Sequence, residues 1–494
     1  MKLRLPDSFY NPVSYSGAAI VLIAVFMFVF LFVIASASSM ERAYAGIILF
    51  IVIPVFIILG LLLIPLGMWR RHRQEQKQGR KREKAFPVLD LNQPQHRTAA
   101  LLFSIGTLVF LFLSALGSYE AFHFTESVPF CGQLCHKVMA PEFTAYQVSA
   151  HARVSCVACH VGAGANWYVK SKLSGLYQVY ATLMNNYPRP IPTPIANLRP
   201  ARETCESCHW PQKIYGKQQR REIYYLPDDS NTRWEMELLM NTGGGNPALG
   251  QKSGIHWHIN PDIQVAYFAA DEKRLEIPRV ILTDLRTQKQ TVYTSMMSGG
   301  DDAALQAGKP RIMDCIDCHN RPSHIYRDPN RFINIAMASG DIDPSLPGIK
   351  RAAVEAVMIE YETPQTAMAE IASKIRAEVS VDETRLAHSI RGAQQAYNLN
   401  IFPAMKVRWS AYPDHIGHLT TPGCFRCHDD QHVSEEGRVI SRACDLCHMI
   451  TAQGPSAELE YAGSQQSLPF NHLEDIGDAW RETNCSDCHH TPPM

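Results

Sequence analysis

Fourteen cysteines in this 494-residue chain fall into seven pairs, and the second member of every pair is followed directly by histidine. The pairs are Cys131/Cys135, Cys156/Cys159, Cys205/Cys208, Cys315/Cys318, Cys424/Cys427, Cys444/Cys447 and Cys485/Cys488, and none is left over. Six are strict Cys-x-x-Cys-His, a pattern that chance placement of these residues would produce roughly 0.015 times in such a chain. It is the pattern that attaches c-type haem: the thiols add to the vinyl groups and the adjacent imidazole becomes the proximal iron ligand. Zinc ribbons and redox dithiols also use paired cysteines, but neither needs histidine in the next position seven times running. The first motif, Cys131-Gly132-Gln133-Leu134-Cys135-His136, has three residues between its thiols. The expected cofactor content is therefore seven covalent haems, or six if that motif attaches none.

Charged residues make up 19% of the chain, below the roughly 25% of soluble globular proteins. The missing charge is concentrated in three apolar runs, Gly17–Ala37, Ala43–Met68 and Thr98–Tyr119, each long enough to cross a bilayer. Between the second and third lie Arg70, Arg71, Arg73, Lys77, Arg80, Lys81, Arg82, Lys84 and Arg97, whereas the first turn offers only Arg42 beside Glu41. The positive-inside rule puts that loop, and the amino terminus with Lys2 and Arg4, in the cytoplasm. Everything after about residue 120 is then periplasmic, with the chain in a bacterial inner membrane. Ala35-Ser36-Ala37 resembles a cleavage site, but the run before it is longer than a signal-peptide core. The net charge of zero divides accordingly: residues 1–121 hold 12 Lys and Arg against 6 Asp and Glu, and residues 122–494 hold 35 against 41.

The expected fold is mainly α with much irregular haem-wrapping chain: three transmembrane helices and an extracytoplasmic multihaem domain with a small antiparallel β insertion. Its divisions are a transmembrane hairpin (1–69), a basic cytoplasmic loop (70–97), an anchor helix (98–121) and a region carrying the first three haem motifs (122–215). A β-containing insertion with the fourth motif (216–340), a helical segment (341–410) and a C-terminal cluster of three motifs (411–494) follow. The β expectation rests on Glu222–Tyr225, Ile263–Phe268 and Val280–Leu282, separated by turn signals such as Gly243-Gly244-Gly245. The helical one rests on Ala353, Val354, Val357, Met358 and Tyr361, then Ile371, Ile375 and Val379.

Seven proximal histidines, His136, His160, His209, His319, His428, His448 and His489, leave 13 of the 20. With His72 and His96 in the basic loop, 11 remain for sixth ligands, enough to saturate every iron. The candidates are His151, one of His256 and His258, His324, one of His415 and His418, His432 and His472, with Met139 for the first haem. His123, His388 and His490 are read as ordinary side chains. Bis-histidine irons have no open axial position, so they carry electrons and do little bond chemistry.

The run from the third apolar segment through Cys131, His136 and Met139, then Ser149-Ala150-His151-Ala152-Arg153-Val154-Ser155-Cys156-Val157-Ala158-Cys159-His160 and Arg199-Pro200-Ala201-Arg202-Glu203-Thr204-Cys205, resembles the NapC/NirT/NrfH membrane-anchored cytochromes. Seven motifs and three membrane helices are closer to the inner-membrane heptahaem cytochromes of metal-respiring bacteria, the ImcH type. The resemblance implies oxidation of menaquinol or ubiquinol at the membrane face and delivery of electrons to periplasmic acceptors, soluble cytochromes or a reductase. It implies a quinol-site lysine after the second motif, here Lys172 with Lys170 as a near alternative. It also implies an acidic residue two helical turns further on, where this chain has Gln178. Met139 completes that set. The hairpin, residues 17–68, is a candidate dock for a membrane partner subunit, and nothing points to nucleic acid. A relay subunit lacking its own quinol site is the alternative reading.

Overall fold

The computed structural model describes residues 9–37, 52–77, 90–134, 136–162, 164–193, 195, 200–211, 214, 216–245, 253–297, 309–464 and 466–489. Cys135 lies outside them, as do Arg80, Lys81, Arg82, Lys84, His490 and the start of the second apolar run. The chain divides into two units, Met1–Met139 and Ala140–Met494.

In the first unit the apolar runs form α1 (Pro12–Ala37), α2 (Ile53–Lys77) and α3 (Pro94–Thr125), all three long and apolar enough to cross a membrane. α1 and α2 form a hairpin held by small residues. A Cβ on Gly17 would stand 2.6 Å from the Gly60 carbonyl oxygen, and one on Gly60 would stand 2.8 Å from that of Gly17, so only glycine permits this approach. Ser14 Oγ donates across the hairpin to the Ile64 carbonyl at 2.9 Å. Ala24, Phe28 and Ile53 are buried between the helices.

The second unit begins with α4 (His136–Gln147), which runs over the boundary, and α5 (Ala165–Leu183). Two antiparallel sheets follow, with strands β1 (Gln218–Tyr225), β2 (Arg233–Met240), β3 (Ile263–Phe268), β4 (Arg279–Asp284), β5 (Gln290–Ser295), β6 (Arg311–Ile312), β7 (His432–Ser434), β8 (His448–Pro455) and β9 (Glu460–Tyr461). Their orders are β1-β2-β8-β9 and β6-β3-β4-β5-β7. The β structure is thus not confined to the insertion, because β2 pairs with β8 and β5 with β7 from the C-terminal motif cluster. Such pairs join residues some 140 to 220 apart, a separation that local sequence pattern does not report.

Helices α6 (Pro329–Ser339), α7 (Ile349–Met358), α8 (Pro364–Glu378) and α9 (Glu383–Asn400) form the largest apolar core. The helically spaced Ala353, Val357, Ile371 and Ile375 are all completely buried in it. Three of these helices have side-chain caps at their N-termini, with Asp328 accepting from the Arg331 amide, Thr363 from Thr366 and Asp382 from Thr384 and Arg385. Gly392 lets α9 pass the Asp341 carbonyl, whose oxygen would be 2.1 Å from a Cβ.

Lys350 is buried in this core, donating to Asn334 Oδ1 at 2.8 Å and the Asn330 carbonyl at 3.1 Å. Burial drives its pKa from 10.5 down to about 7, against a weak opposing pull from Asp328. Because the folded value is the lower one, the unfolded chain binds more protons between about pH 7 and 10.5. Stability contributed at this site therefore rises with pH across that window and is lowest below pH 7. Thermal unfolding of Lys350→Met is expected to lose this rise; the same pH slope in both proteins would contradict the assignment.

Candidate haem sites

Each attachment motif from the second onward has a cysteine on a single helical turn. Cys156–His160, Cys315–Cys318 and Cys485–His489 are one-turn α-helices, Ala201–Cys205 ends at the first thiol of its pair, and the motifs at Cys424 and Cys444 begin in 3₁₀ turns. A helical turn puts positions i, i+3 and i+4 on one side, so two thiols and an imidazole address one porphyrin. The described cysteines are free thiols. At the first motif the chain forms a π-helical turn, Phe130–Leu134. A π turn takes up one residue more than an α turn, which matches the extra residue in that motif. Cys135 and the side chain of His136 lie outside the described residues.

The protein does not enclose all of these thiols equally. Cys208 and Cys488, each the second thiol of its pair, are exposed, as is Cys444, whereas the other described cysteines are half-buried. Cys208 stands in the open turn that follows Ala201–Cys205, where its Sγ accepts a weak hydrogen bond from Ser207 Oγ at 3.8 Å. Cys488 is on the last short helix, beside the exposed Asp487. The motif spacing does not encode this difference in exposure. A thioether is a covalent bond, so Cys208 and Cys488 need to reach a vinyl group and do not need to be buried by protein. Both retain the spacing to their histidines that attachment requires.

The motifs are neighbours in chain order. The turn at Cys156–His160 packs on the one at Ala201–Cys205, and that on the one at Cys315–Cys318. Cys159 is raised by burial and then by Cys205. A hydrogen bond between the Cys205 and Cys315 thiols holds the first below and the second above the ordinary value. Burial and then Cys424 push Cys318 up to about 11, and burial and then Cys424 and Cys444 push Cys447 up to about 11. Burial raises Cys485, Arg442 opposes it, and Cys444 adds a smaller push.

Six proximal histidines each face a second histidine. Ring centroids are 6.0 Å apart for His209 and His151, 6.2 Å for His160 and His324, and 6.2 Å for His319 and His256. They are 5.7 Å apart for His428 and His258, 6.2 Å for His448 and His418, and 6.1 Å for His489 and His472. Metal–imidazole bonds of about 2 Å on both sides, plus about 1 Å from each nitrogen to its ring centre, require a separation of about 6 Å. The residues present therefore fit a haem iron between each pair.

Hydrogen bonding selects the nitrogen that faces inward. Nδ1 of His151, His256, His258 and His324 lies 2.7–3.3 Å from the backbone carbonyls of Pro322, Thr242, Ile255 and Glu142 respectively. An Nδ1–H held this way leaves Nε2 as a bare lone pair. Burial lowers the pKa of His160, His258, His319, His448 and His489, and it takes His324 and His418 to about 4. These rings are neutral at physiological pH.

The structure differs from the sequence expectation for the distal candidates at two places, His256/His258 and His432, and separates His415 from His418. His256 and His258, treated as alternatives, stand on one turn, Ile255–Ile259, and face two different proximal histidines. Of His415 and His418, only His418 faces one. His415 is engaged at both nitrogens, Nδ1 with the Asp317 carbonyl at 3.1 Å and Nε2 with the Lys273 carbonyl at 3.0 Å. His432 is not opposite a proximal histidine either: Nδ1 bonds Asp429 Oδ1 at 2.8 Å and Nε2 the Ile277 carbonyl at 2.7 Å. Burial opposes its charged form, but those two acceptors raise its pKa above the ordinary value. With a protein group against each nitrogen, neither ring presents a nitrogen to an iron.

At the first motif, Met139 follows His136 by three residues on α4. Lys172 lies over the Tyr168 ring at 4.9 Å and Lys170 over Trp167 at 4.7 Å. Gln178 is exposed, its Nε2 3.4 Å from Ser174 Oγ, and stands roughly 120° around α5 from Lys172. The helix does not bring these two candidates together.

One residue that motif reading passes over is Asp317, between the cysteines of the fourth motif and 1% exposed. Its Oδ1 accepts from Tyr267 Oη at 2.6 Å, Arg311 Nε at 2.6 Å and Arg274, and its Oδ2 accepts from the Asp314 amide at 2.7 Å. It ties the haem turn to the second sheet.

Three membrane-length helices joined to serial thiol–imidazole turns with paired histidines define a membrane-anchored multihaem c-type cytochrome, an electron-transport protein. Residues 93–190 match the N-terminal region of the NapC/NirT cytochrome c family. The chain is 41% identical, over 99% of its own length and 97% of the relative's, to the cytochrome c-type protein ImcH of Geobacter sulfurreducens. No solved structure matches. The chain belongs to the NapC/NirT family of c-type cytochromes.

Proposed function

We propose that this chain oxidises quinol at the periplasmic face of the inner membrane and relays the electrons along seven c-type haems to periplasmic redox proteins, soluble cytochromes or a reductase. The observation that carries this reading is the set of six histidine pairs, spaced for iron and following one another with neighbouring thiols. Bound haem supplies a one-electron carrier at each pair. The chain's own contribution is to fill both axial positions, which keeps substrates off the metal, and to hold four of the distal rings, His151, His256, His258 and His324, by backbone carbonyls so that they need not reorient. The basic stretch beginning at Arg70 and Arg71 orients the helices with that loop in the cytoplasm and the motifs outside.

Quinol oxidation releases two electrons and two protons. Lys172 can donate a hydrogen bond to a quinol oxygen, and Gln178 can bond a hydroxyl but its amide takes no proton, so the protons leave through another group or water. Lys172→Ala is expected to slow haem reduction by a menaquinol analogue about tenfold or more, with haem content and the dithionite-reduced spectrum unchanged. An unchanged rate would remove Lys172 from the site. Glutamine in the acidic position is the one observation favouring a relay subunit docked through residues 17–68, and that reading predicts no quinol reactivity without a partner.

A further inference from the structure

Between Phe143 and Arg202 there is no aspartate or glutamate, while Arg153, Lys170, Lys172, Arg189, Arg199 and Arg202 fall inside. Residues 122–494 hold 35 Lys and Arg against 41 Asp and Glu, so the rest of this part holds 29 against 41. A basic, acid-free stretch of 60 residues is set into an otherwise acidic one.

At its centre is α5, which exposes large apolar side chains along its length. Leu173, Leu176, Tyr177, Tyr180, Leu183 and the C-cap Met184 are each 53–78% exposed. At 100° per residue these positions cover a stripe about 120° wide. Lys170 and Lys172 lie on its two margins, roughly 60° and 100° from Leu173, and their ammonium groups rest on the Trp167 and Tyr168 rings. The opposite side carries Ser171, Gly175, Gln178 and Thr182. An apolar stripe edged by lysines and aromatic rings is the pattern of a helix lying in a membrane interface.

We propose that α5 lies flat in the outer leaflet of the membrane that α1–α3 cross, its Leu/Tyr stripe inserted and its cations among anionic headgroups. A lipid surface fits better than a protein partner for two reasons: the chain is already bilayer-bound through three spans, and the two lysines that edge the stripe, on a helix with no acidic residue, complement a negatively charged headgroup layer. The inference stands whether or not the chain has its own quinol site.

The test uses the full haem-loaded chain in phosphatidylethanolamine–phosphatidylglycerol nanodiscs doped with a phospholipid bearing a diazirine in its acyl chain. After photolysis, peptide mass spectrometry should find lipid adducts on residues 173–184 as well as on α1, α2 and α3. The double variant Leu176→Glu/Tyr180→Glu should lose the α5 adducts at least threefold while keeping its haem content and its adducts on the three spans. Adducts confined to the three spans in the unmodified chain would overturn the proposal, as would protection of α5 accompanied by cross-linking to a second copy.

Discussion

Replacing His258 with leucine is expected to convert one iron per chain from low spin to high spin, whereas His432→Leu is expected to leave every iron low-spin. His258 is fixed through Nδ1 to the Ile255 carbonyl and its ring is 5.7 Å from that of His428. Leucine has no donor atom, so the fifth haem would be left with His428 alone and an open axial position. His432, although only four residues after the same proximal ligand, spends both nitrogens on Asp429 and Ile277. Its loss removes one hydrogen bond from Asp429, which keeps those from the Gln431 and His432 amides, and leaves the Ile277 carbonyl without its ring partner, costing about 1–3 kcal/mol of stability and a lower melting temperature. Electron paramagnetic resonance of the two oxidised variants separates these effects. A high-spin signal from His432→Leu and none from His258→Leu would reverse the assignment.

The second large effect is expected at Asp317. One carboxylate, 1% exposed, compensates Arg274, Arg311 and the Tyr267 hydroxyl, whose pKa is raised by burial and then by Asp317 itself. Arg274 is 11% exposed, so Asp317→Ala leaves a guanidinium largely out of water with no anion. Breaking such a pair from one side costs about 3–5 kcal/mol, a large share of the 5–15 kcal/mol typical of a whole domain. Because Asp317 lies between Cys315 and Cys318, the loss should also appear as incomplete attachment of the fourth haem. Asp317→Asn, which keeps the shape and an acceptor, should lose about half as much. Denaturant melts and haem content check both variants; a change of under about 0.5 kcal/mol in Asp317→Ala would contradict the clamp.

What could be read from sequence was whatever a covalent or periodic pattern dictates. The motifs are set by thioether chemistry, the spans by apolar length, and the buried faces of α7 and α8 by helical spacing. Spacing does not report how far the chain encloses a motif, so nothing in it set the exposed Cys208 and Cys488 apart from the half-buried thiols. Distal ligands are different again, because nothing local points them at an iron. His324 faces His160 across 164 residues of chain, and proximity to a motif, the only clue available, favoured His432 and left His415 open. Their hydrogen-bond partners, Ile277 and Lys273, come from a distant segment, which is why only the folded chain shows those rings to be occupied. The same limit hid β7 and β8, strands that pair with others some 140 to 220 residues earlier in the chain. The alternating His256 and His258 did carry a signal: two imidazoles on one tight turn can serve two neighbouring irons.

The account rests on a chain of saturated irons, and spin-state counting on the purified protein tests it most directly. Haem quantification combined with low-temperature electron paramagnetic resonance of the oxidised chain should give seven irons per polypeptide, all low-spin, six of them with bis-imidazole signals. Fewer than six haems, or a stoichiometric high-spin iron in the unmodified chain, would contradict it and indicate instead a site open to substrate.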